Sequence, residues 1–244
     1  MKFFYLCLFL FPFFISCSDT TDLHNSTHTI KSDLYSKAID ATASYKANPY
    51  DAVGELQNEI LEAYYSNDAL PTSYEAISSK VVAIAQNDLN FTALGSDYIY
   101  SSNSIERVLY LLNHASTCQQ EVLNARLDSA RARSGLNTFI ESLLSLCATE
   151  NDYAIIYSFI TDYEDSVLAD SYYSIKDKKV ILITTSVARH SAYMRKKKPK
   201  KNKDPEWDYM VTNIVAATDG ATDSIQESVM RAVVSGIVEN PRLN

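Results

Sequence analysis

Apolar residues recur every three to four positions along most of the chain, the spacing that places side chains on one face of an α-helix. The clearest stripe is Ile156, Phe159, Ile160, Tyr163 and Val167. Further stripes predict helices over 30–48, 50–66, 72–87, 103–133 and 178–194, one that begins at Thr138, and a C-terminal helical hairpin after Pro205. Only 5 of 244 residues are glycine, which favours long helices over a strand-rich fold with many tight turns. We therefore expect one all-α domain, a multi-helix bundle of seven to nine helices over residues 30–244.

Polar and small residues mark where these helices begin and end. Thr72 and Glu75 have the spacing of a capping box and predict a helix start. Ser134-Gly135 predicts a turn between two antiparallel helices. Residues 88–102 lack helical periodicity and are expected to form a loop, with a short strand over 98–100 as an alternative.

The amino terminus has the three parts of a secretory signal. Lys2 supplies a positive charge, residues 3–15 are uncharged and apolar, and the small residue Ser16 precedes Cys17. The 13 apolar residues make a helix of about 20 Å, which is too short for a permanent span of a hydrocarbon layer about 30 Å thick. The sequence therefore predicts a signal peptide over residues 1–16.

The segment Phe14-Ile15-Ser16-Cys17 resembles the lipobox of bacterial lipoproteins. The resemblance implies cleavage before Cys17, lipidation of its sulfur, and a further acyl chain such as palmitate on the new amino terminus. Several acyl chains anchor a protein firmly, because each buried CH₂ contributes about 0.8 kcal/mol. The polar residues 17–29 are then expected to be a flexible tether. The alternative is an ordinary secreted protein with a chance cysteine at its cleavage site.

Charge is distributed very unevenly along the chain. The net charge is −8 overall, −14 over residues 17–175, +10 over 176–203 and −5 over 204–244. A chain this acidic repels phosphates, so we expect no nucleic-acid partner.

Most of the positive charge falls in a predicted exposed loop, residues 195–205, which we call the basic loop. Its seven cations are Arg195, Lys196, Lys197, Lys198, Lys200, Lys201 and Lys203. They form a candidate anion-binding site for an anionic envelope component such as lipid head groups or a polyanionic glycan. The alternatives are a solvated linker, or a loop that folds against the acidic body of the same protein.

Two cysteines remain after removal of the signal and lipidation, and both face an oxidising compartment. Cys118 and Cys147 lie on either side of the predicted turn at Ser134-Gly135. In a helical hairpin their heights would differ by about 7 Å, which is at the limit for the Cα atoms of a disulfide. A disulfide and two buried free thiols are both compatible with this spacing.

Motifs for catalysis are absent from the sequence: there is no His-Glu-x-x-His, no Gly-rich phosphate loop and no Gly-x-Ser-x-Gly. His114 and His190 lie on predicted helices, where a single histidine is usually a hydrogen-bonded structural residue. Glu164-Asp165 falls on a polar helix face and is expected to be solvated. We therefore predict no catalytic residue, no metal site and no cofactor.

Two stretches carry a resemblance to known proteins. The first is Ile183-Thr184-Thr185-Ser186-Val187-Ala188-Arg189-His190-Ser191-Ala192-Tyr193, and the second comprises Trp207 and Asp219-Gly220-Ala221. They resemble uncharacterised lipoproteins of Bacteroidetes-type bacteria, which pair a Ser-Val-Ala-x-x-Ser helix with a later helix that carries an Asp and a Gly-Ala pair. The resemblance implies an outer-membrane or cell-surface location and no particular activity.

These observations favour a membrane-anchored lipoprotein with a non-enzymatic binding or structural role in the cell envelope. One alternative is an immunity- or inhibitor-type lipoprotein that neutralises a toxin, its acidic helical face meeting a basic protein partner. Another is an envelope hydrolase, which would require a deep pocket with converging polar groups.

Overall fold

The computed structural model describes residues 43–67, 69–95, 98–197 and 205–239. These residues form ten helices and no strand: α1 (Asp51–Tyr65), α2 (Tyr74–Asn87), α3 (Leu89–Ala93), α4 (Ser102–Asn113), α5 (Cys118–Arg126), α6 (Ala130–Thr149), α7 (Tyr153–Ala169), α8 (Ile175–Lys197), α9 (Pro205–Gly220) and α10 (Ile225–Glu239). The predicted all-α class is confirmed, and the helix count of the described residues exceeds the expected seven to nine. The domain boundaries predicted at residues 16 and 29 lie outside the described residues.

Two helices are buried on every side and organise the others. Every residue of 180–192 on α8 and of 226–237 on α10 is buried. The first packs against α1, α6, α7, α9 and α10, and the second packs against α1, α2, α4, α8 and α9. A helix with no solvated face needs partners inside the protein for its polar side chains. The helix predicted over 178–194 is thus confirmed, and its buried polar side chains need hydrogen-bond or charged partners on the neighbouring helices.

The C-terminal helical hairpin is formed by α9 and α10. A Cβ atom on Gly220 would lie 2.7 Å from the backbone nitrogen and Cα of Ser228, so the two helices approach more closely than any side chain at residue 220 would allow. Ser228 Oγ donates a hydrogen bond of 2.8 Å to the carbonyl oxygen of Ala217. The hairpin is therefore joined by backbone contact as well as by apolar packing.

The helix predicted over 103–133 is wrong, because the chain turns at 114–117 and α5 ends at Arg126. The next helix begins at Ala130, where Ser129 Oγ accepts the backbone N–H of Ala132 at 3.0 Å. Asp177, a buried residue of α8, fixes the start of α6. Its carboxylate accepts hydrogen bonds from the N–H groups of Asp128 and Ser129 at 2.7 and 3.3 Å.

Ser134-Gly135 is consequently not a turn but lies inside α6, Ala130–Thr149. The absence of a side chain on Gly135 makes room for the hydroxyl of Tyr173, which would be 2.9 Å from an added Cβ atom. This glycine therefore serves side-chain packing rather than chain reversal.

The loop predicted over 88–102 contains the short helix α3. The Asp88 carboxylate accepts the N–H groups of Asn90 and Phe91 at 2.8 and 2.9 Å and so begins this helix. Residues 98–100 form no strand. The preceding helix α2 is capped by Ser73, whose Oγ accepts the N–H of Ala76 at 3.3 Å, one residue after the predicted cap.

The described end of the helix predicted over 30–48 is not helical. Residues 43–50 form bends and turns, and the Tyr45 N–H donates to Asp51 Oδ2 at 2.9 Å rather than to a carbonyl of a preceding turn. Among the helices of the described residues, none has the length and apolar character required to cross a membrane.

Candidate functional site

Two clusters of largely buried charged side chains lie where α8 and α10 meet the helices around them. The first, which we call the Arg189 centre, joins α8 to α7 and to the start of α1. Arg189 Nη2 lies 2.8 Å from Asp51 Oδ1, and Arg189 Nε lies 3.4 Å from Glu164 Oε2. Its Nη1 also donates to the backbone carbonyl of Ala43. The side chains of Arg189 and Glu164 are fully buried.

Asp51 is the most highly connected acid of the Arg189 centre. His190 Nε2 lies 3.2 Å from Asp51 Oδ1, and Ser44 Oγ donates to Asp51 Oδ2 at 2.6 Å. Burial raises the pKa of Asp51, but hydrogen bonds from His190 and Ser44 and the charge of Arg189 outweigh it, so that the pKa is well below its usual range. Asp51 is therefore ionised throughout the physiological range.

Glu164 occupies a drier position in the same centre. Asn48 Nδ2 donates to Glu164 Oε1 at 2.8 Å and to the carbonyl oxygen of Leu182 at 2.9 Å. Burial raises the pKa of Glu164, and the charge of Arg189 opposes this rise only in part. The prediction that Glu164-Asp165 is a solvated pair is wrong for Glu164, because its carboxylate faces α8 instead of water.

The second cluster, which we call the Asp219 centre, joins α4, α5 and α10 around one buried carboxylate on α9. Arg107 donates to both oxygens of Asp219 through Nε and Nη2, each at 3.0 Å. Arg126 Nε donates at 3.0 Å and Arg231 Nη1 at 2.5 Å. Burial raises the pKa of Asp219, but the three guanidinium groups outweigh it and the pKa is lowered.

Further acids balance the arginines of the Asp219 centre. Arg231 Nε donates to Glu227 at 2.7 Å, Arg231 Nη2 donates to Asp223 at 2.7 Å, and Arg107 Nη1 donates to Glu121 at 3.0 Å. Tyr98 donates its hydroxyl to Glu227 Oε2 at 2.6 Å. The result is a closed network of complementary charges that links four helices to the segment after α3.

The chemistry of both centres is that of structural ion pairs. A general acid or base needs a free edge within hydrogen-bond reach of a substrate atom. The Asp219 and Glu164 side chains are fully buried, Asp219 accepts hydrogen bonds from three arginines, and Glu164 accepts one from Asn48 through Oε1. Glu164 Oε2 has no hydrogen-bond donor and faces Arg189 Nε at 3.4 Å, inside the protein. Within the described ranges, no group of three or more His, Cys, Asp or Glu side chains is arranged to hold a metal ion.

An open groove of about 510 Å³ runs between α1 and α2. Its lining residues are Ala63, Asn67, Lys80, Ala83, Ile84, Asn87 and Asp88. The polar groups of the groove are already engaged, since Lys80 Nζ donates to the carbonyl of Ala69 at 2.8 Å and Asp88 caps α3. The groove therefore presents few groups that converge on a ligand.

The residues predicted to carry function fall partly outside the described ranges. Cys17 lies outside them, as do Lys198, Lys200, Lys201 and Lys203. The backbone of Arg195, Lys196 and Lys197 is helical and forms the end of α8, so the prediction that the basic loop begins at residue 195 is wrong. Helical hydrogen bonding continues there because the break at Pro199 comes two residues after the helix ends.

Cys118 and Cys147 are both buried free thiols, so the candidate disulfide does not form. They lie on α5 and α6 and belong to separate apolar clusters, Cys118 with Leu111, Val122, Val215 and Ala216, and Cys147 with the main core. The two cysteines do not face each other, because the hairpin turn from which their pairing was inferred does not exist.

The two histidines differ in their surroundings, and His114 lies in the turn after α4 and not within a helix as predicted. His190 contacts Asp51, and the exposed His114 stacks on the ring of Tyr110 with 4.1 Å between centroids. Neither buried centre is predicted by the residue pattern. The available signal was a charged residue within a nearly continuous apolar helix, as at Arg189 and Asp219, because such a residue requires a buried partner.

No protein-family model, curated protein or solved structure matches the chain.

Proposed function

We propose that this protein is a membrane-anchored bacterial lipoprotein with a non-enzymatic binding or structural role in the cell envelope, at the outer membrane or cell surface. The observation that carries the proposal is the amino-terminal pattern of Lys2, the apolar residues 3–15 and Ser16-Cys17. Lipid on Cys17 would hold on a membrane a helical body whose described part begins at residue 43.

The arrangement of the body supports a non-enzymatic role. The buried charges of the Arg189 and Asp219 centres join helices to one another, and the buried Asp177 fixes the start of α6. A catalytic site ordinarily leaves some perturbed group open to a cleft. The buried acids Asp219 and Glu164 are instead enclosed by side chains of their own protein.

The lipid anchor is tested by mass spectrometry of the amino-terminal peptide, after expression of the full chain in a bacterium with and without globomycin. We expect a peptide that begins at Cys17 with the mass of attached acyl chains, and accumulation of the uncleaved precursor with globomycin. Cys17→Ser should abolish the lipidated peptide. Cys7→Ser, which changes a cysteine of the signal core, is the matched control and should leave it unchanged.

A protein that retains residues 1–16, or that begins at residue 17 without added mass, would contradict the anchor. The non-enzymatic role is tested separately by incubating the purified protein with peptidoglycan and with envelope lipid. Release of soluble sugar or fatty acid that disappears on heat inactivation would contradict it. A stable complex with an envelope component, isolated after cross-linking in cells, is the expected result.

A further inference from the structure

The turn between α7 and α8 exposes two large apolar side chains. Tyr172 is 79% exposed and Ile175 is 89% exposed. Arg131 on α6 lies beside this turn, with its guanidinium carbon 5.3 Å from the centre of the Tyr172 ring. We call residues 170–176 together with Arg131 the exposed turn.

The surroundings of the exposed turn are cationic in a chain that is acidic overall. Five cations face three carboxylates near it: Arg131, Arg133, Lys176, Lys178 and Lys179 against Asp128, Asp170 and Asp177. The net charge of this group is +2, whereas that of the chain is −8.

Arg131 pairs with Asp170 at 2.6 Å and Lys176 pairs with Asp128 at 2.5 Å. The other three cations, Arg133, Lys178 and Lys179, outnumber the one remaining carboxylate, Asp177. Arg133 donates to the carbonyl oxygens of Leu127 and Asp128, and Lys178 donates to that of Leu168. These bonds hold the cations in place without removing their charge. Asp177 is buried, and its oxygens accept the N–H groups that begin α6.

We propose that the exposed turn docks on an anionic lipid surface. Tyrosine favours the boundary between water and hydrocarbon because its ring is apolar and its hydroxyl is polar. Ile175 provides apolar contact at the same level, and the neighbouring cations face the anionic head groups. Asp162 and Asp165, which lie further back along α7, are repelled by the same surface, so the charge distribution directs the turn toward the membrane.

The inference rests on the proposed function, because a lipid on Cys17 would bring the body to the bilayer. Tyr157 donates to the carbonyl of Ser44 at 3.0 Å and Tyr45 donates to Asp165 at 2.5 Å. The chain therefore joins the body along α7, within about 20 Å of its end at a rise of 1.5 Å per residue. The roughly 25 residues between Cys17 and this point span at most about 85 Å, enough to place the turn on the membrane that holds the lipid.

The test is co-sedimentation of the chain from residue 17, unlipidated through Cys17→Ser, with vesicles of phosphatidylglycerol and phosphatidylcholine. We expect binding that is lost on vesicles of phosphatidylcholine alone and that weakens with salt. The double variant Tyr172→Ser/Ile175→Ser should bind about tenfold more weakly, because it removes most of the exposed apolar contact. Lys179→Gln, which changes a cation one helical turn after Ile175, should weaken binding about fivefold.

The matched control is Leu89→Ser/Ile99→Ser, which removes two residues that are 85% and 80% exposed elsewhere on the body. It should bind as the parent does, and circular dichroism should show unchanged helix content in all variants. Equal binding by the parent and the Tyr172→Ser/Ile175→Ser variant would overturn the inference. A second result would also overturn the inference: binding that Tyr172→Ser/Ile175→Ser leaves unchanged but that is lost when all the lysines of the basic loop become Gln. The basic loop would then be the lipid site. The lysines to be changed are Lys196, Lys197, Lys198, Lys200, Lys201 and Lys203.

This assay uses an unlipidated chain, so its failure is distinguishable from failure of the proposed function. The amino-terminal peptide reports whether the anchor exists, and vesicle binding reports whether the exposed turn contacts lipid.

Discussion

Arg189 and Asp51 are 138 residues apart in the sequence and are joined by an ion pair of 2.8 Å. The arginine is completely buried and is shared with a second buried acid, Glu164. Charges removed from water are tolerated only when each has a partner, because the desolvation of an isolated ion costs several kcal/mol. This pair therefore fixes the start of α1 against α8.

Replacement of Arg189 by methionine should destabilise the protein by about 3–5 kcal/mol, because the fully buried Glu164 and the partly buried Asp51 would lose their common partner. Urea denaturation followed by circular dichroism measures the change. Lys176→Met removes the exposed pair with Asp128 and should have little effect on the free energy of unfolding. Similar losses for the two variants would show that burial does not set the contribution of Arg189.

Stability should fall in acid because of Asp51 and Asp219. Both pKa values are lower in the folded protein than in an unfolded chain, so their contribution is complete above about pH 4 and is lost as the pH falls toward the folded values. The raised pKa of Glu164 acts in the opposite sense, favouring the fold at low pH and losing this contribution as the pH rises through its folded value.

Asp219→Asn isolates the contribution of Asp219 to the loss of stability in acid. The variant should lose about 3 kcal/mol at pH 7, where three arginines lose their shared carboxylate. Between pH 7 and pH 3 its stability should decline less than that of the parent, because one depressed carboxyl has been removed. Urea denaturation at pH 7, 5 and 3 gives the comparison, and parallel pH profiles would refute the assignment to Asp219.

Gly54→Ala should be destabilising although alanine is the better helix former by about 1 kcal/mol. A Cβ atom at residue 54 would collide with the carbonyl oxygen of Ser186, and backbone cannot move aside without separating α1 from α8. Gly135→Ala is the control, because its Cβ would meet the ends of two side chains and no backbone atom, the hydroxyls of Tyr173 at 2.9 Å and Tyr163 at 3.6 Å. Thermal melting should show a lower Tm for Gly54→Ala and an equal or higher Tm for Gly135→Ala.

The two thiols of the body should be unreactive until the protein unfolds. Burial raises the pKa of Cys118, and it raises the pKa of Cys147 to about 11 despite the opposing charge of Arg195. Little reactive thiolate is then present at pH 8. In the chain from residue 17 with Cys17→Ser, Ellman's reagent should detect no thiol in the native state and two after denaturation without reductant. Zero thiols after denaturation would indicate the disulfide instead.

Local pattern was sufficient to predict most helices and failed where a distant contact decides the chain path. The stripe from Ile156 to Val167 and the run after Val180 are helical as predicted. The break between α5 and α6 was not predictable from local pattern, because it depends on a residue that is distant in the sequence. Asp177 of α8 accepts the backbone N–H groups of Asp128 and Ser129. Ser134-Gly135 predicts a turn because both residues are common in turns. The contact that keeps Gly135 inside a helix comes from Tyr173, which is far along the sequence.

The all-α class, the helical nature of α8 and the C-terminal hairpin all follow from the residue pattern, as does the amino-terminal signature on which the proposed anchor rests. Periodicity and end residues are local properties, so no folded partner is needed to recognise them. The meeting of Arg189, Asp51 and Glu164 in one centre, and of three arginines at Asp219, becomes visible in the folded protein alone. A charge is stable in a core only beside its counter-charge, and this pairing depends on which helices pack together.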